Sequence, residues 1–352
     1  MSHSSHVDMP PLQAGAWLAF VSATLFGLST PLLRRFGQGQ GPFMTAGLLY
    51  AGASMASLLP SRRHTDEASL RRRDVPRLIG VAACGAVIAP ACLAWGLART
   101  SAVLGSLLLA SEAVFTVLLA RIFYREPVGA RMTAALACIG GGSALLLAGA
   151  GSVSTTSVLG CVAVVVAAVA WAADNALTRP LADQNPQHVV AAKGALGAAL
   201  SFVLATTEHA PTLRATVGLL VTGALGYGVS LRFYLLAQRR VGAGRTASIF
   251  AAAPFIGAVA AWGSGEPAVG GATVAAGALV AAGLYLHLSE RHGHAHAHVA
   301  MDHDHQHSHD DGHHQHVHDP PVAGAHSHPH HHEEMQHEHP HGPDVHHQHS
   351  HR

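Results

Sequence analysis

The sequence predicts an all-α integral membrane protein: ten transmembrane helices as two inverted five-helix repeats, followed by a disordered His-rich tail. Only 41 of the 352 residues are Asp, Glu, Lys or Arg, 12% against roughly 25% in an ordinary soluble domain. So few charges cannot cover two globular bodies. Apolar runs long enough to cross a bilayer recur along residues 14–289, and 24 of the 30 His crowd into residues 291–352. The formal net charge of +1 hides a body at +8 and a tail at −7.

A hydrocarbon core about 30 Å thick takes roughly 20 residues of helix. Residues 1–13 lack the basic stretch of a secretory signal, so the first run, 14–33, reads as a retained span. Residues 43–60 form the second, between GQGQGP and the arginine-rich stretch 62–77. The third, 78–98, holds CGAVIAPACLAWG, whose small residues allow close helix packing and whose Pro90 frees a backbone carbonyl. The fourth, 101–120, carries Glu112 near its middle. Residues 132–173 hold no charge and are too long for one helix; the polar break GAGSVSTTS at 149–157 divides them into spans 130–148 and 157–178. The seventh, 187–206, carries His188 and Lys193; 215–236, 243–262 (with Pro254) and 271–289 complete the ten. The organisation is thus 1–13, a cytoplasmic N-terminus; 14–148 and 157–289, the two repeats; and 290–352, the tail.

With the N-terminus inside, fourteen Arg fall in inner loops and four in outer ones. Cytoplasmic loops carry the excess of positive charge, so both termini are placed in the cytoplasm. Cys84, Cys92, Cys138 and Cys161 all lie in apolar runs without C-x-x-C spacing, which disfavours a disulfide framework or a zinc ribbon. Cys84, Cys92, Met44 and Met55 read as apolar filling rather than a soft-metal path.

The halves echo each other. LFGLSTPLLRR (25–35) aligns with AWAADNALTRP (170–180) at an offset of 145, and SAVLGSLLLASEAVFTVLLARIFYREP (101–127) aligns with GAGRTASIFAAAPFIGAVAAWGSGEP (242–267) at 141 drifting to 140. Five spans per half is odd, so the second half enters the membrane inverted, an arrangement found in carriers with a site near the midplane. These residues resemble the EamA-type drug/metabolite transporter superfamily over residues 14–289. The resemblance implies a ten-helix carrier in a bacterial inner membrane, commonly an exporter, in a superfamily whose members move amino acids, nucleosides, sugars, drugs or cations.

An ionised group at a helix centre costs roughly 2.5–3.5 kcal/mol on the insertion scale. Glu112 is therefore either a carboxylate that binds a cation or carries a counter-transported proton, or a structural acid tied to a neighbouring helix. Asp174 and Asn175 offer oxygen ligands toward the inner end of the sixth span, or line a vestibule and bond Arg179. Lys193 and Arg232 lie near the inner face, where snorkelling explains them, with a partner carboxylate such as Asp174 as the alternative.

The tail repeats an H-x-H step: His292, His294, His296 and His298; His303, His305, His307 and His309; His313, His314, His316 and His318; His326, His328, His330, His331 and His332; His337, His339 and His341; His346, His347, His349 and His351. It holds too little apolar residue to fold alone. Imidazole suits nickel, cobalt, zinc and copper. A pH-responsive tail and a passive metal buffer are the alternatives: protonating all 24 His would move it from −7 to +17.

The expected function is export of divalent transition-metal ions, nickel first and cobalt second, an order taken from the resemblance of the tail to those of nickel and cobalt resistance systems. The alternative is export of a small organic metabolite or amino acid, with a tail that buffers or senses metal. No G-x-x-x-x-G-K-[ST] motif occurs, so protons are the expected drive and no cofactor is required. Membrane lipid, the metal ion and protons are the expected partners; neither nucleic acid nor enzyme chemistry is.

Overall fold

The computed structural model describes residues 11–58, 72–124, 128–151, 154–178, 181, 186–241, 243–266, 270–289, 292–298, 301–307, 326–332 and 335–341. Among them nine helices are long and apolar enough to cross a membrane: α1 Gln13–Gly37, α3 Val75–Leu97, α4 Ala102–Phe123, α5 Ala130–Gly149, α6 Thr155–Thr178, α7 Gln187–Thr207, α8 Leu213–Gln238, α9 Arg245–Gly263 and α10 Gly271–Leu288. The expected second span is the 16-residue helix α2, Pro42–Ser57, followed by Leu58; residues 59 and 60 lie outside the described residues. Among the described residues, ten full-length spans thus become nine plus a shorter helix. The chain is a multi-pass membrane protein.

Outward surfaces stay apolar, with Trp17, Ile122, Phe123, Val203, Leu213 and Tyr285 all exposed. In lipid, exposed apolar groups do not drive helices together, so close packing must. The centre is built from fully buried leucines, among them Leu33, Leu49, Leu93, Leu97, Leu108 and Leu219. Glycines bring backbones together: a Cβ on Gly257 of α9 would stand 2.7 Å from the carbonyl of Gly27 on α1.

The halves pack as a swapped pair. α1 lies against α8 and α9 of the other half, as α6 lies against α3 and α4, while α2 packs on α7 and α5 on α10. Even their irregularities correspond. A π-helical stretch interrupts α3 at Ala83–Ile88 and α8 at Ala224–Val229, 141 residues later. α4 breaks at Ala110 and Ser111, α9 at Ala251 and Ala252, again 141 apart. Pro90 and Pro254 begin the segments that follow, where a proline has no amide to donate and its ring crowds the carbonyl four residues back.

Beyond α10 the described parts of the tail are extended. Four seven-residue strands, β1 His292–His298, β2 Met301–His307, β3 His326–His332 and β4 Met335–His341, pair antiparallel as β1 with β4 and β2 with β3. The H-x-H step has the two-residue period of a strand. The register sets His294 opposite His339, His296 opposite His337, His303 opposite His330 and His305 opposite His328. No strand occurs among the described residues of 11–289.

Candidate functional site

The break in α4 decides where Glu112 stands. It opens the segment Glu112–Tyr124, half-buried in the middle of the bundle. Its Oε1 accepts from Asn175 Nδ2 at 2.8 Å. Asn175, on α6, is exposed, so the pair is reachable from outside the protein envelope.

Asp174, one residue earlier, turns the other way. Its Oδ2 is paired with Lys193 Nζ from α7, and its Oδ1 accepts from Thr178 Oγ1 at 3.3 Å. The side chains of Lys193 and Asp174 are only 16% and 6% exposed. Lys193 therefore points inward to a carboxylate rather than snorkelling to the interface. Arg232 is half-buried on α8, and the bonds just described do not include it.

Asp174 fits because Gly85 lies opposite: a Cβ there would run into the carboxylate. Gly85 belongs to the π-helical stretch of α3, which turns its carbonyl out of the regular ladder to accept from Tyr50 OH at 2.5 Å and Trp171 Nε1 at 3.0 Å. At the corresponding place of the other half, Gly226 of the second π-helical stretch packs against Ser29. The two junctions share one geometry, but only one is charged.

Six aromatic rings join this region into one group. Phe26 lies 5.7 Å from Tyr227, 5.4 Å from Phe250 and 6.5 Å from Trp171; Tyr227 lies 5.6 Å from Tyr50, and Tyr234 lies 5.0 Å from Phe250. No sequence motif singles out these residues. Their available signal was scarcity, since aromatics make up only 5% of the chain.

A second set of contacts ties the halves at the end where α1, α3 and α9 finish. Arg34 Nε pairs with Glu266 Oε1 at 3.0 Å, and the same guanidinium donates to the carbonyls of Leu97 and Thr100. Glu208, after α7, accepts from the amides of Phe43 at 3.1 Å and Met44 at 2.7 Å, capping α2. A carboxylate at a helix N-terminus satisfies orphan donors and meets the positive end of the helix dipole.

Among the described residues no group of three or more His, Cys, Asp or Glu is assembled that could hold a metal ion. Of the tail His, those from 292 to 298, 303 to 307, 326 to 332 and 337 to 341 lie on the strands. His309, His313, His314, His316, His318, His346, His347, His349 and His351 lie outside the described residues, as does Arg179.

The sequence model of the EamA-like transporter family matches residues 13–148 and again 158–289. No curated protein matches the chain. Fourteen chains of solved structures do. One, titled only "Crystal structure of protein", aligns with a TM-score of 0.58 at 19% identity over 78% of this chain and 95% of its own, which speaks to fold alone.

Proposed function

Because the chain belongs to the EamA-like transporter family, we propose that it is an inner-membrane secondary transporter that exports divalent transition-metal ions, nickel first and cobalt second. The observation that carries this reading is the tail: 24 His within 62 residues, directly after the last span. Few other uses suit that composition. With both termini cytoplasmic, as the arginine distribution favours, the tail gathers metal at the inner mouth.

From the tail, ions pass to the oxygens around Asn175 and Glu112 while the inverted halves rock about them, protons moving the other way. The shorter α2 serves as the tenth span. On this orientation the Arg34–Glu266 pair and the Glu208 cap close the outer face, and the exposed Asn175 is approached from within.

A small organic solute is the second reading. The ring group of Phe26, Tyr50, Trp171, Tyr227, Tyr234 and Phe250 beside the polar cluster favours it, because aromatic walls bind organic molecules better than bare ions. Intracellular metal content across a panel of ions separates the two. Cells lacking the gene should hold more nickel or cobalt under challenge; unchanged content and tolerance would end the metal reading.

A further inference from the structure

Lys193 is the chain's single lysine, set against 20 arginines. It stands inside the bundle, bound to Asp174, at the place where the repeat offers a comparison. In the other half Ser29 packs on Gly226 as Asp174 packs on Gly85. The neutral version shows that this junction needs a small polar residue facing a glycine and does not need a charge. The Asp174–Lys193 pair is therefore an addition to the packing, and a buried ion pair generally contributes little stability over neutral residues of similar volume.

The choice of lysine is informative too. An arginine would hold the carboxylate with a planar fork of donors, whereas lysine offers a compact ammonium on a flexible four-carbon stem that can let go and swing away. Both Asp174 oxygens are occupied, Oδ2 by the ammonium and Oδ1 by Thr178. Each oxygen keeps a free lone pair, but a cation arriving there would stand beside the ammonium, which repels it.

We infer that Lys193 is the resident counter-ion of Asp174: it occupies the carboxylate when the carrier is empty, and a cationic cargo must displace it to bind. The inference rests on the metal reading for the identity of that cation. It makes Lys193 a specificity-determining residue. A neutral solute brings no charge to replace the ammonium and leaves the pair intact, while a divalent ion takes Asp174 and sets the ammonium free. The empty carrier keeps Asp174 paired and avoids a lone buried charge.

The test uses the same lysine. In the full-length protein in lipid, a small acylating ester reports the freedom of Lys193, read by mass spectrometry of its peptide; the tail contains no lysine to confuse the signal. Labelling should be slow without metal and rise severalfold in Asp174→Ser, which copies Ser29, and in the isosteric Asp174→Asn. Nickel or cobalt chloride should raise the wild-type rate toward that level, with magnesium chloride as the ionic-strength control. If neither variant speeds labelling, the pair does not hold Lys193 and the inference falls. If the variants respond but nickel and cobalt leave the wild type unchanged in a protein that exports them from cells, displacement is overturned while the cargo reading stands. Acceleration by tetramethylammonium but not by nickel or cobalt, in cells whose metal content is indifferent to the gene, would keep the counter-ion and overturn the metal.

Discussion

At Glu112 a carboxylate stands midway across the bundle, hydrogen-bonded to Asn175. Replacing it with Gln keeps the shape and removes the charge. Glu112→Gln should abolish transport in vesicles while the tail binds metal as before; full activity would return Glu112 to a structural role. Gly85 allows a stability test. Its Cβ would meet Asp174, so Gly85→Ala should cost about 1–3 kcal/mol by overpacking. A Cβ on Gly140 of α5 meets nothing within 4 Å, so Gly140→Ala should be neutral or stabilising by about 0.5–1 kcal/mol. Thermal unfolding in detergent compares the two, and equal losses would refute the Gly85 argument. Of these residues, Glu112, Asp174 and Asn175 stood out in the sequence because charge and amide are rare in apolar runs. The inward turn of Lys193 toward Asp174 stood there only as the alternative to snorkelling, because depth in the membrane does not give the rotation of α7.

The helices were legible for a simple reason: bilayer thickness sets their length, and hydropathy reports it. Their interruptions were not. A π-helical stretch leaves composition unchanged, so Ala83–Ile88 and Ala224–Val229 look like any apolar run, although Pro90 hinted at the first. Helix ends also carried an unread contact, since Arg34 and Glu266 are far apart in sequence yet meet at the ends of α1 and α9. With side chains 30% and 13% exposed, Arg34→Gln should destabilise by about 1–3 kcal/mol, below the range for a fully buried pair. The exchanged pair Arg34→Glu with Glu266→Arg should recover part of that loss. Unfolding of the two single variants and the double variant, analysed as a cycle, checks this; strict additivity would mean that the two side chains do not cooperate.

For the whole molecule, the division between carrier and tail was plain in composition, whereas the strand pairing followed from the period of H-x-H and went unread. Deleting residues 291–352 should lower export efficiency without ending it, measured as metal loss from preloaded cells. Complete loss would place the tail inside the translocation path. Tail binding should also depend on acidity. Imidazole must be neutral to bind metal, and its unperturbed pKa lies near 6.5, so metal bound by the full chain in excess of the deleted chain should fall as pH drops below about 6.5. The matching π-helical stretches carry a historical implication. Two local irregularities at the same register in both halves are most simply inherited from one ancestor, so the bends predate the duplication that joined the halves. The contrast between the Asp174–Lys193 pair and plain Ser29 at the matching place of the sister half arose after it, whichever half changed: the scaffold is older than its asymmetry of charge.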